Sequence, residues 1–244
     1  MLYSAWYNLG IKAGYTHFDS AQGYGNEENL GKALNDSGIA REKIFITSKV
    51  RDIHKSYESA KASIEESLRK LNTPYIDLML IHCPQPWDIY PNSEYKYYKE
   101  NLEAWRALEE FYLAGKIKAI GVSNFSIDDC ENILKNCKVK PHVNQIPLYI
   151  GCTNMPLIEY CQKNGICVEA YSPIAHGRAL KNDVIKGYAE KYGCSIAELC
   201  LAYTLQLNTV TLPKTLNYDH MVENLNVSVV IFEEDMEFLK KIEE

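Results

Sequence analysis

A chain of 244 residues, 46% of them hydrophobic, can bury a large core and fits either one barrel-sized domain or two small ones. Lys plus Arg number 26 against 32 Asp plus Glu, a net charge of −6, which leaves no basic footprint for nucleic acid and no pull toward an anionic membrane surface. The eight cysteines form no C-x-x-C pair and the start carries no charged-then-apolar leader, so they read as free thiols in a reducing cytoplasm; no apolar run approaches the roughly 18 residues of a membrane span.

In chain order, residues 1 to 15 read as a helix that leads directly into a strand at 17–20 (HFDS). Further strands are predicted at 44–50 (IFITSKV), 78–82 (LMLIH), 118–124 (KAIGVSN), 142–146 (HVNQI), 167–172 (CVEAYS) and 209–214 (TVTLPK). These are continuous apolar runs rather than alternations, the pattern of parallel strands covered on both faces. Helices fill the gaps: Ala60, Ile64, Leu68 and Leu71 recur at helical spacing, as do Trp105, Leu108 and Tyr112, and Ile196, Leu199, Cys200 and Tyr203. The stretch SIAE predicts a capping box, with Ser195 as N-cap and Glu198 as its reciprocal partner. The terminal FEEDMEFLKKIEE reads as a solvated closing helix. Strand starts fall about 32 residues apart, close to one βα unit, and no Pro, Gly or Ser-rich linker divides residues 1–244. A single parallel (β/α) barrel is the expected fold, with a doubly wound sheet as runner-up. Against the latter, no strand precedes G-x-G-x-x-G: after Gly23 and Gly25 comes Glu28 where a third glycine belongs.

Barrel active sites gather where strands end. Asp19, Lys49, His82, Ser123 with Asn124, Asn144 with Gln145, Tyr171 with Ser172, and Lys214 end the predicted strands in turn. An ionisable or amide group at every such end predicts one ring of polar side chains. Each alone has an ordinary reading: Asp19 as a turn former, Tyr24 as one of 18 tyrosines, His82 as a satisfied core histidine, Lys49 as a snorkelling lysine. The tyrosine-rich loop at 90–101, which follows Trp87, reads equally as a pocket wall and as a rim loop. No Walker A or H-E-x-x-H sequence occurs, and none of the six histidines sits with Cys or Glu at metal-ligand spacing, so no metal is expected.

Taken together, GYTHFDSAQGYGNE, ITSKV, LMLIHCP, GKIKAIGVSNF, VNQIPLY, VEAYSPI and LPKT followed by EN resemble the aldo-keto reductases from about Ala13 to Asn224. The resemblance implies an NADP(H)-dependent (β/α)8 TIM barrel that reduces a small aldehyde or ketone, with Asp19, Tyr24, Lys49 and His82 as the catalytic tetrad. It assigns Ser123, Asn124 and Gln145 to the nicotinamide carboxamide, Tyr171 to stacking on the ring and Ser172 to the pyrophosphate. Lys214 and Thr215 then face the phosphate end, with Glu223 and Asn224 toward the adenine. Three departures stand out. Cys83 replaces the tryptophan of the family's HWP and, with Trp87, is expected at the substrate pocket. His220 stands where an arginine commonly meets the 2′-phosphate and offers neither its charge nor its fork. The family's N-terminal hairpin and first strand have no counterpart here, so an open seven-stranded barrel is expected, monomeric if complete and able to self-associate through an open edge.

The chemistry follows from the residue types. Carbonyl reduction needs a hydride on carbon and a proton on oxygen, and no side chain supplies hydride. A tyrosine, with reference pKa near 10, exchanges protons poorly at neutral pH unless a cation favours its ionised form; Lys49 is the candidate, with Asp19 to hold it and His82 to orient the substrate oxygen. A barrel that keeps the cofactor but serves as a binding or regulatory subunit is the alternative.

Overall fold

All seven apolar runs form strands in the computed structural model, which describes residues 2–243. The described residues divide into two units, Met1–Asn144 and Gln145–Glu244. In the first, a helix α1 (Leu2–Ala13) precedes strand β1 (His17–Asp19), followed by α2 (Glu27–Asp36), β2 (Phe45–Val50), α3 (Tyr57–Leu71), β3 (Ile76–Ile81), α4 (Tyr98–Leu113), β4 (Ile117–Ser123) and α5 (Ile127–Asn136). Consecutive strands pair in parallel, with Asp19 opposite Thr47, Lys49 opposite Leu80 and Leu80 opposite Gly121. Parallel neighbours need a crossover, and α2 to α5 each supply one. Leu78, Met79, Leu80 and Ile81 of β3 are all buried, which is why no alternation was visible in that run. Gly121 lets β4 approach its neighbours: a Cβ there would lie 2.5 Å from the Val143 carbonyl oxygen.

Strand β5 (Val143–Pro147) leads into the second unit, which continues with α6 (Met155–Lys163), β6 (Cys167–Tyr171), α7 (Asp183–Tyr192), α8 (Ile196–Gln206), β7 (Val210–Leu212), α9 (Tyr218–Leu225) and α10 (Glu233–Leu239). β6 pairs with β7 in parallel, Tyr171 opposite Leu212, and the sheet order follows the sequence from β1 to β7.

Side-chain partners shift three sequence expectations. On α3 the buried residues are Ala60, Ile64, Ser67 and Leu71, with Leu68 half-buried, and the Ser67 hydroxyl accepts the Gln22 side-chain amide at 3.0 Å. On α8 only half of the expected capping box forms. The Ser195 hydroxyl accepts the Glu198 N–H at 3.1 Å, while the Glu198 carboxylate takes the Ser228 N–H at 3.2 Å. And α10 is not simply solvated: Met236 and Leu239 are buried, and buried Asp235 accepts hydrogen bonds from Lys191 and Tyr192.

Candidate active site

Three strand ends and one short 3-10 helix of the first unit bring the four candidate catalytic side chains together. Asp19 closes β1, and Lys49 stands one residue before the end of β2. Its ammonium, fully buried, donates to Asp19 Oδ2 at 2.5 Å and to the Ser20 carbonyl at 2.9 Å. Burying an ammonium is costly unless it is paired and hydrogen-bonded, and here both conditions are met. His82 follows β3; its N–H donates to the Val50 carbonyl at 3.1 Å, which continues the sheet pairing one residue further.

Tyr24 arrives by a short 3-10 helix, Gln22–Tyr24, and not by a strand. Gln22 anchors that turn of helix. Its amide nitrogen donates to the Ser63 carbonyl and Ser67 hydroxyl of α3, each at 3.0 Å, and its oxygen accepts the Arg51 N–H at 2.9 Å. Gly25 at φ +65° then turns the chain into α2, a left-handed conformation that costs glycine little. Buried Glu27, in the first turn of α2, accepts the Ser48 hydroxyl at 2.6 Å. The outcome is a tyrosine 48% exposed, its ring 5.1 Å from the Lys49 ammonium and 5.5 Å from the His82 imidazole, edge to face.

His82 is 8% exposed, and burial, reinforced by the Lys49 charge, drops its pKa to about 4. Its Nδ1 has no hydrogen-bond partner, so a neutral ring can carry its proton on Nε2. A row of aromatic rings extends from it, His82 to Trp87 at 5.6 Å and Trp87 to Tyr90 at 5.5 Å, each near perpendicular. Of the four loop tyrosines only Tyr90 joins this row; Tyr95 and Tyr97 pack on each other and Tyr98 opens α4. Cys83 is wholly buried, and burial pushes its thiol up to about 12, whereas Trp87 is 43% exposed beside the His82 ring.

Ser123 ends β4 and Asn124 follows it, both buried. Asn124 adopts φ 63°, which Asn tolerates, and its amide donates to the His82 carbonyl and the Ser123 hydroxyl, each at 3.0 Å. In the second unit Gln145 is buried and donates to Glu169 Oε2 at 2.8 Å, Tyr171 is half-buried, and Ser172 pairs with His176 Nε2 at 3.2 Å. Lys214 is exposed just ahead of α9, where Asn217 caps the helix by accepting the Asp219 and His220 N–H groups. Thr215 accepts the Asn217 N–H, while Glu223 is exposed and Asn224 half-buried on α9. Among the described residues no cluster of three or more His, Cys, Asp or Glu is arranged to hold a metal, and no helix is long and apolar enough to cross a membrane.

Four residues near the site were not anticipated: Gln22, Asp52, Lys55 and Asn101. One signal for them was present. Asn101, Ala104, Trp105 and Leu108 share helical spacing, so an amide lay on the apolar face of α4, where it needs a partner.

Comparison with known proteins places the chain in a family. The model of the Aldo/keto reductase family matches residues 5–244. Glyoxal reductase of Bacillus subtilis is 41% identical over 228 residues, 93% of this chain and 78% of that protein. MGS-M4, an aldo-keto reductase from a Medee basin deep-sea metagenome library, superposes with a TM-score of 0.89 at 34% identity, over 99% of this chain and 87% of that one. A Bombyx mori aldo-keto reductase solved in complex with NADP gives a TM-score of 0.86 at 28% identity, over 98% and 81%. The fold class is that of these relatives, an α/β barrel of parallel strands, with seven strands among the described residues.

Proposed function

Because the chain belongs to the aldo/keto reductase family, we propose that it reduces small aldehydes or ketones to alcohols with NADP(H), Tyr24 donating the proton. The observation that carries this reading is the graded exposure of the four side chains. Lys49 is fully buried and committed to Asp19 and Ser20, His82 is nearly so, Asp19 is partly exposed but paired with Lys49, and the Tyr24 phenol is the most open of the four. A carbonyl entering the cleft meets Tyr24 and His82 and cannot meet Lys49.

NADPH, when bound, supplies the hydride to the carbonyl carbon. The chain supplies the rest. Neutral His82 donates a hydrogen bond that orients the carbonyl oxygen toward Tyr24. Tyr24 passes its hydroxyl proton to that oxygen as negative charge builds there, and the charge left on the phenol is stabilised by the Lys49 ammonium beside the ring. Asp19 holds Lys49 in place through the step. Trp87 and Tyr90 wall the cleft with aromatic surface and help exclude water.

The residues assigned to the cofactor have suitable chemistry. In the first unit the Ser123 hydroxyl and Asn124 amide, both donors and acceptors, suit a carboxamide. In the second, Lys214 and the N-terminus of α9 suit a phosphate, with Thr215, His220, Glu223 and Asn224 along the same segment. Gln145, Tyr171 and Ser172 are assigned the nicotinamide and pyrophosphate on the family resemblance. The close relation to a glyoxal reductase supports a small, unhindered aldehyde.

Tyr24→Phe tests the reading. Turnover of glyoxal and of an aromatic aldehyde should fall about 10²–10⁴-fold, while NADPH affinity by fluorescence titration stays within about twofold. Undiminished turnover would remove Tyr24 as proton donor.

A further inference from the structure

For the imidazole of His82 to stay edge-on to Tyr24, the loop that follows it must keep its place, and sheet pairing no longer holds it, since β3 ends at Ile81. Side chains from the β2–α3 turn and from α4 do. Lys55, 8% exposed, donates from Nζ to the Cys83 carbonyl at 2.6 Å and to Asn101 Oδ1 at 2.7 Å. Asn101, 1% exposed, donates from Nδ2 to the Pro84 carbonyl at 3.0 Å. The two carbonyls directly after His82 are thus gripped in succession. Three residues before Lys55, Asp52 Oδ2 accepts the Trp87 N–H at 2.8 Å, which fixes the far end of the same loop.

A buried ammonium is a costly way to satisfy two neutral acceptors. No carboxylate lies within ion-pair distance of Lys55 among the described residues; Asp52, Asp129 and Glu100 act on it only from further off, and burial lowers its pKa to about 8. The neighbouring Cys83 thiol, pushed up to about 12, brings no charge at neutral pH. Local rules broken in this way tend to mark places where geometry matters more than stability.

We propose that Lys55 and Asn101 are positioning residues for the reduction: together they hold the turn at 82–84 so that the His82 imidazole keeps its place between Tyr24 and Trp87. Neither touches substrate or cofactor in this scheme. The proposal rests on the assignment of Tyr24 and His82 above, and its test separates the two.

A double-mutant cycle on kcat does so, with Lys55→Met made alone and in a His82→Ala background, assayed with glyoxal and NADPH. Alone, Lys55→Met should lower kcat about 10- to 100-fold, with NADPH affinity within about twofold of the parent. In the His82→Ala background the same substitution should cost nothing further, because the group it acts through is gone. Asn101→Asp carries the same cycle with side-chain shape preserved, and it decides the matter if Lys55→Met does not fold. Losses that multiply in the double variants, or full kcat in the single ones, overturn the proposal. Failure of the underlying reading looks different: His82→Ala or Tyr24→Phe would then turn over at the parent rate.

Discussion

His82 ties the chemistry of the site to the pH dependence of the fold. Burial first and the Lys49 charge second hold its pKa near 4, against an ordinary value of 6.5. Between those two values the unfolded chain binds a proton that the folded chain refuses, so the unfolded state gains as the pH falls. The contribution is fully present above about pH 6.5 and lost progressively down to about 4; at roughly 1.4 kcal/mol per unit it amounts to on the order of 3 kcal/mol. His17, half-buried and lowered chiefly by desolvation, acts in the same direction. A His82→Gln variant keeps His17 and removes only the first contribution. In urea melts at pH 7 and pH 5 the parent should lose on the order of 2 kcal/mol more than the variant. Equal losses would mean that His82 titrates normally. The same shift gives the catalytic reading a signature, since a histidine neutral throughout pH 5–8 adds no inflection near 6.5 to the rate profile.

Tyr24 depends on two elements it does not belong to. The 3-10 turn that carries it is pinned by Gln22 to α3, and the helix that follows it, α2, lies against the end of α3 at Gly31. A Cβ on Gly31 would sit 2.4 Å from the Leu71 carbonyl oxygen, with backbone atoms at 2.7 and 2.8 Å beside it. Backbone at the end of a helix cannot swing aside as a flexible side chain would, so α2 must shift. Gly31→Ala should therefore destabilise despite the better helix propensity of alanine, by about 1–3 kcal/mol for overpacking, or roughly 2–4 °C of melting temperature for each kcal/mol in a chain of this size. An unchanged or raised melting temperature would show that α2 and α3 have room to part. Because α2 begins three residues after Tyr24, activity should fall with stability, which a thermal melt paired with turnover at 20 °C would register. The strands were legible in the sequence because burial on both faces leaves an unbroken apolar run. These anchors were not: Gln22 and Ser67 are 45 residues apart, Lys55 and Asn101 46, and each is an ordinary polar residue until the fold sets it beside its partner.

The whole chain carries a charge of −6, which works against any anionic cofactor and places the burden of attraction on local groups. Here the sequence was legible in part. Element boundaries alone made Asp19, Lys49, His82 and Lys214 candidates, whereas His220 was singled out only by the family resemblance. Nothing in residue identity told how exposed each would be. Lys214 and His220 both prove exposed, with the His220 N–H on the Asn217 cap. An exposed lysine meeting a phosphate is screened by solvent and contributes less than a buried one, and a histidine lacks the fixed charge and fork of arginine. The 2′-phosphate that distinguishes NADPH from NADH should thus be favoured through one screened lysine. About 1 kcal/mol, near the upper end for an exposed pair, corresponds to a preference of roughly fivefold. His220→Arg adds a bidentate donor on the first turn of α9, where the helix N-terminus already favours anions. It should raise the NADPH preference about tenfold and leave NADH affinity nearly unchanged, while Lys214→Met should bring the two cofactors close to parity. Titrations of both cofactors at 50 and 200 mM salt would measure this, with the NADPH preference shrinking at the higher salt as screening grows. A preference that survives Lys214→Met undiminished would place the phosphate on other residues.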